Sequence, residues 1–278
     1  MKAGYRTRIL QSRFLKIYVF PYRTLIVTRH LFRTAARCLK WLISESEFTN
    51  FSYDVTSLNQ EQMIWYVSVI TGASYEEISR YFEELETNKT LPVLIENFVK
   101  NSRRGPEINQ LFLRNKRAAW YAFIRVLKPK LVVETGTDKG LGAIIIAEAL
   151  KANGNGHLIT IDYDPTSGSL LEEYDSANLT HLKGDSLELL RNLDKIDLFI
   201  HECYHSPEHE LAEYNTVAPL LSKNSLIISG YSYTTNVLSD WSKLNRRKFL
   251  YFSETPKNHW YRGAGIGVSF EDSPRESM

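Results

Sequence analysis

From Leu131 onward, short apolar runs alternate with helical patterns. "LVVET" (131–135) reads as a buried strand, "GAIIIAEALKA" as a helix and "NGNG" as a turn. "HLITID" is a second strand, "SLLEEY" opens a helix, and "LTHLKGD" holds a short third strand. "IDLFIHE" is the fourth strand, "PEHELAEYNTVAPLL" a helix and "SLIISG" the fifth strand. Strands separated by helices predict a parallel sheet covered on both faces. The tail breaks the rhythm. "KFLYFSE" and "AGIGVSF" are two strands joined by a polar loop, which predicts an antiparallel pair closing one edge.

Upstream of Leu131 the pattern is helical. "SYEEISRYFEELE" begins with Ser74 as N-cap and Glu77 three residues on, a capping box. "NKRAAWYAFIRVLK" is a helix that Pro129 stops just before the first strand. Residues 1–20 interleave basic and apolar residues, and Pro21 is expected to break any continuous helix there. Beyond it, Leu25, Thr28, Phe32, Ala35, Leu39 and Leu42 repeat at helical spacing, with Arg29, Arg33, Arg37 and Lys40 on a separate arc. The chain thus divides into a basic amphipathic arm (1–45), a helical region (46–125) and an α/β domain (126–278).

Charge sharpens that division. Residues 1–42 carry ten Lys or Arg and no acid. The remainder has 24 basic residues (34 less 10) against 32 acidic ones, a net of −8. An acidic body argues against nucleic acid as partner. The arm reads as a peripheral contact with an anionic membrane, or as a packing element against the body or a second copy of the chain. No apolar run approaches the roughly 18 residues of a membrane span, and basic residues interrupt every candidate signal core. Two distant cysteines, Cys38 and Cys203, suit a reducing cytoplasm better than a disulfide framework or a structural zinc site.

The chemistry begins at "ETGTDKGLG" (134–142), a strand that ends in an acid and turns on glycines into a helix. A dinucleotide turn wants G-x-G-x-x-G, and Asp138 stands where its second glycine should be. A carboxylate there repels a pyrophosphate. S-adenosylmethionine (SAM) carries no phosphate and offers an ammonium that carboxylates bind, so the turn favours SAM over NAD. Asp162 ends the second strand, where a carboxylate can take both ribose hydroxyls. Asp185 and Ser186 follow the third strand, where an adenine amino group needs an acceptor; taken alone, Asp185 also reads as a helix N-cap.

These segments, with "IDLFIHECYHSPEHELAEY" and "SLIISG", resemble the class I SAM-dependent methyltransferases over about residues 115–270. The likeness is to small-molecule O-methyltransferases of the macrocin O-methyltransferase and cephalosporin hydroxylase-like group. It implies a Rossmann-like seven-stranded, mostly parallel sheet with an antiparallel final strand. It also implies that Glu134, Gly136 and Gly140 frame the methionine end of SAM. Thr137 and Asp138 complete that turn, Asp162 holds the ribose, Asp185 and Ser186 face the adenine, and His201, at the end of the neighbouring strand, joins the cofactor-binding residues. The group's fourth-strand segment commonly reads Asp-Gly-Asp-His-Ser, matched here by Glu202, Cys203, Tyr204, His205 and Ser206. Its metal-binding members add two Asp residues after the fifth strand, where this chain has Gly230 and Tyr231. One carboxylate holds a magnesium ion poorly, so no metal is expected.

His201, His205 and His209 sit four apart, but Ser206 followed by Pro207 marks a helix start, so the first two precede the helix. A three-histidine metal site is therefore not expected. His205 reads as general base for a hydroxyl acceptor, with Glu202 supporting it or binding the SAM amine. The expected activity is methyl transfer from SAM to a small-molecule hydroxyl. A non-catalytic SAM-binding scaffold and an NAD-dependent oxidoreductase stay as alternatives; Asp138 and the antiparallel tail oppose the second.

Overall fold

The strands read from the sequence assemble into one sheet. In the computed structural model, which describes residues 13–44, 53–107, 115–174, 176–203 and 206–271, they are β1 (Leu131–Thr135), β2 (His157–Asp162), β3 (Leu179–Lys183), β4 (Ile196–His201), β5 (Leu221–Ser229), β6 (Lys248–Ser253) and β7 (Gly265–Phe270). Their order is β3-β2-β1-β4-β5-β7-β6. The first five pair in parallel. β7 inserts antiparallel between β5 and β6, so the expected antiparallel pair does close the edge. The strand order reverses between β1 and β4, the place where open parallel sheets bind ligands.

Alternation along the strands sorts side chains to two faces. Val132, Leu198, Ile200 and Ile228 point into one core. There they meet α2 (Ser57–Thr71), α3 (Tyr75–Glu86), α4 (Thr90–Asn101), α5 (Lys116–Leu127) and α6 (Leu141–Asn153). Val133, Ile161, Phe199 and Ile227 point the other way, toward α7 (Ser186–Leu190), α8 (Pro207–Val217) and α9 (Val237–Leu244). The helix starts obey local capping rules. Ser74 Oγ accepts the Glu77 N–H at 3.1 Å, and Ser206 Oγ accepts the His209 N–H at 3.1 Å with Pro207 in the first helical turn.

Two expectations fail for physical reasons. "SLLEEY" yields only a single 3-10 turn, Leu171–Glu173. The N–H groups of Gly168 and Leu170 go instead to the carbonyls of Asp138 and Lys139, tying this segment to the β1–α6 turn. Pro21 does not break the arm: helix α1 runs Arg13–Ser44 with the proline inside it. Pro21 costs the ladder one N–H and crowds the Ile17 carbonyl. Both residues are exposed, so water can take up that carbonyl.

The described residues fall into two compact units, α1 with Asn258–Tyr261 and the rest. In the first unit Trp41 meets Trp260 edge-on, centroids 5.7 Å apart. Leu25, Phe32, Leu39 and Leu42 of the apolar stripe are all exposed. No helix among the described residues is long and apolar enough to cross a membrane.

Candidate active site

Where β1 ends, the backbone turns sharply. Gly136 sits at φ 93° and Gly140 at φ 99°. A Cβ on Gly136 would lie 2.4 Å from the Glu202 carbonyl oxygen, so only glycine lets β1 and β4 release their chains side by side. Asp138 takes φ 47° between them, a left-handed conformation that Asp tolerates better than most residues. Its position is therefore glycine-like in backbone while supplying a carboxylate.

A cleft of about 330 Å³ opens beside this turn. Glu134, Gly136, Thr137, Asp138, Glu202 and Gly230 line it from the strand ends, and Lys116, Arg117 and Trp120 line it from α5. Glu134 is buried at its floor and accepts the Thr160 hydroxyl at 2.7 Å, while Thr137 and Thr160 share a second bond at 2.7 Å. A Cβ on Gly142 would stand 2.4 Å from Glu134 Oε1, so α6 approaches the carboxylate through a missing side chain. Burial pushes the Glu134 pKa up to about 8; the Thr160 bond opposes this, and the charge of Glu202 reinforces it. The charge of Arg117 opposes the rise as well.

Glu202 is paired with a cation. Lys116 Nζ lies 2.7 Å from each of its carboxylate oxygens, in a pair whose side chains are 13% and 12% exposed. The same ammonium lies 5.5 Å from the Trp120 ring centroid and 5.8 Å from that of Tyr231. A Cβ on Gly230 would fall 1.8 Å from Glu202 Oε1 and 2.4 Å from Lys116 Nζ. Gly230 thus leaves room for this ion pair. These residues do not fit a magnesium ion: both Glu202 oxygens hold the ammonium, and Gly230 adds no ligand. Sequence reasoning missed Lys116, because nothing in a helical stripe tells which basic residue reaches across to a strand 86 positions away.

The remaining candidates are not all brought together. Asp162 sits beside the cleft without lining it, accepting the Asp138 N–H at 2.8 Å and the Asp164 N–H at 2.9 Å. The Asp138 carboxylate, expected to repel a phosphate, is itself paired with Arg104 (2.8 Å) and Lys139 (2.7 Å). Partial burial works against its charge, but those hydrogen bonds outweigh it and hold the carboxyl below its usual range. Asp185 Oδ1 caps α7 through the Leu187 and Glu188 N–H groups. Ser186 Oγ lies 3.3 Å from His209 Nε2, and buried His201 bonds Glu213; both belong to the α8 face of the sheet and are not among the cleft's lining residues. Tyr204 and His205 lie outside the described residues.

Sheet order, glycine turn and cleft define the class: a Rossmann-like methyltransferase fold. Residues 133–229 match the family model described as a methyltransferase domain. No curated protein matches the sequence. Among solved structures, the O-methyltransferase TomG of Streptomyces achromogenes, involved in tomaymycin synthesis and in complex with SAM, superposes with a TM-score of 0.50 at 13% identity, over 67% of this chain and 91% of that one. The methyltransferase PaMTH1 of Podospora anserina, bound to S-adenosylhomocysteine (SAH), gives a TM-score of 0.51 at 15% identity, over 71% and 95%.

The Glu134 environment makes a stability prediction. Its carboxyl titrates at about 8 in the folded chain, against an ordinary value of 4.5. Folded protein therefore holds an extra proton between those values, and stability falls as pH rises through that window. Thermal melts of Glu134→Gln should depend less on pH than wild type from 5 to 9, with the variant more stable at pH 9. Parallel pH profiles for the two proteins would return Glu134 to an ordinary carboxylate.

Proposed function

We propose that the chain transfers a methyl group from SAM to the hydroxyl of a small-molecule acceptor, without a metal ion. The observation that carries this reading is the buried Glu134 at the floor of a cleft formed at the carboxyl ends of the parallel strands. SAM supplies an activated methyl group on its sulfonium. Glu134 and the Gly136–Gly140 turn, with Thr137 and Asp138, would receive its methionine end, Asp162 its ribose, and Asp185 with Ser186 its adenine. The acceptor oxygen must lose its proton as it takes the methyl group, and His205 is the base proposed for it. Glu202, fixed by Lys116, would hold the ammonium or orient the base. Trp120, Tyr231 and Tyr233 give the cleft an aromatic wall suited to a flat or apolar acceptor.

Calorimetry tests the cofactor. SAM and SAH should bind, NAD should not, and Asp162→Ala should weaken SAM by about 1.5–3 kcal/mol, the loss of hydrogen bonds to a charged group. Unchanged affinity in the variant would remove Asp162 from the site.

Turnover tests the role of the ion pair. Added magnesium should leave it unchanged, whereas Lys116→Met should lower it by roughly 10²–10³-fold, the scale of losing one preorganised electrostatic contact. Activity that a chelator abolishes and magnesium restores would overturn the metal-free reading.

We propose further that the arm places this domain at an anionic lipid surface, which suits an amphiphilic acceptor. Its exposed apolar residues, including Phe20, Leu25, Phe32 and Leu39, share one helix with basic residues and no acid. Full-length protein should sediment with anionic liposomes at low salt and release at high salt. Self-association in place of liposome binding would assign the arm to a second copy.

A further inference from the structure

On the face of the sheet away from the cleft, four side chains of metal-ligand type converge, and the methyl-transfer reading uses none of them there. β4 delivers His201 and, just beyond its end, Cys203; α8 delivers His209 and Glu213. His201 Nδ1 lies 2.7 Å from Glu213 Oε2 and 3.8 Å from Cys203 Sγ. Cys203 Sγ is 3.1 Å from Glu213 Oε1, and His209 Nε2 is 3.2 Å from that same oxygen. One ligand atom each from His201, Cys203 and Glu213 fits within a 4.8 Å span. His201 and Glu213 are fully buried, while His209, 24% exposed, faces solvent enough to leave an entry path.

We propose that His201, Cys203 and Glu213 hold a zinc ion, with His209, already in contact with Glu213, swinging in as the fourth ligand. Zinc–ligand bonds of about 2.0–2.3 Å set tetrahedral ligand atoms roughly 3.3–3.8 Å apart. The His201, Cys203 and Glu213 ligand atoms lie 2.7–3.8 Å from one another, close to such spacings, and His209 touches the cluster through Glu213 Oε1 at 3.2 Å. The donor set selects the metal: one thiolate and two imidazoles suit zinc and repel the oxygen-seeking magnesium and calcium. Charge balance supports it as well. One thiolate and one carboxylate offset Zn²⁺, giving a neutral centre that can be buried without an unpaired charge. Binding releases the Cys203 thiol proton to solvent, and any proton on the two ligating imidazole nitrogens leaves or moves to the other nitrogen.

The surroundings are prepared. Thr135 Oγ1 donates to Glu213 Oε2 at 2.8 Å, fixing the carboxylate from the end of β1 as outer-shell partners do in zinc proteins. Ser186 Oγ lies 3.3 Å from His209 Nε2 and steadies that ring until the metal replaces it. His201 Nε2 is buried without a hydrogen-bond partner, so Nδ1 is the ring's one polar attachment in the cluster. Since Glu202 stands between His201 and Cys203, a metal here would pin from behind the residue that enters the cleft. The cluster is the same whichever acceptor or cofactor the cleft takes.

The test uses the full chain, stripped of metal by a chelator and then titrated with zinc against a chromophoric competitor, and separately with cobalt(II). Wild type should bind one equivalent of zinc and melt at higher temperature when loaded. With cobalt it should show the intense visible bands of four-coordinate geometry and a near-ultraviolet sulfur-to-cobalt band. Cys203→Ser should lose that sulfur band, while Cys38→Ser keeps it. His209→Ala should weaken zinc by at least about 100-fold, since even outer-shell changes cost 10–100-fold. Circular dichroism of the unloaded variants separates lost ligation from lost fold, and the conservative Cys203→Ser decides if His209→Ala does not fold. Absence of stoichiometric binding, or a cobalt spectrum unaltered by Cys203→Ser, overturns the site.

Discussion

The ion pair between Lys116 and Glu202 joins the first turn of α5 to the end of β4, and the cleft is built around it. Lys116 is held at both ends. Its backbone N–H goes to the buried Glu254 carboxylate and its ammonium to both oxygens of Glu202. Glu254 is anchored in turn by Tyr53 at 2.7 Å. Breaking a largely buried pair strands a charge, at about 3–5 kcal/mol, more than most surface contacts contribute. The helical layer is thus fastened to the sheet at the site itself, where a strand order reversal leaves a crevice. Gly230 is the condition for all of this, since any side chain there would collide with the pair.

That constraint explains the departure from the metal-binding pattern of the family it resembles. A magnesium site collects carboxylates around a mobile cation. Here the cation is covalently attached to the chain, on α5, and one acid suffices to hold it. A fixed ammonium neutralises Glu202 without the ligand exchange of a metal, and it leaves the buried Glu134 to the Thr160 hydroxyl. The division of labour is electrostatic: Glu202 is held by the Lys116 ammonium, and Glu134 by burial and the Thr160 hydroxyl.

Much of this was legible in the sequence, because strand and helix periods, glycine turns and Ser or Pro at helix starts are local signals. The sheet, its antiparallel edge, the caps at Ser74 and Ser206 and the turn at Gly136–Gly140 all follow from such signals. What was not legible depends on reach. Lys116 pairs with Glu202 across 86 residues, and Glu213 gathers Thr135, His201 and Cys203 from two strand ends. Asp138 looked like a defect in a glycine motif, yet its backbone adopts the glycine conformation. Pro21 looked like a break, and an exposed helix absorbs it. Asp185 carried two readings from the start; the structure shows its cap bonds, which leave the second reading to experiment.

The end of β4 then carries two chemistries because a strand alternates. Thr135 and His201 face α8 and meet Glu213, while Glu134 and Glu202 face α5 and α6. Cys203, one residue beyond Glu202, returns to the α8 side. A two-residue repeat therefore separates a hard, oxygen-lined cleft from a soft cluster of sulfur and nitrogen donors with almost no distance between them. Slipping the register of β4 by one residue would exchange the two sets. The apolar alternation of Leu198, Phe199 and Ile200 into opposite cores prevents that slip. Ordinary core packing upstream thus keeps each kind of donor on its own side of the sheet.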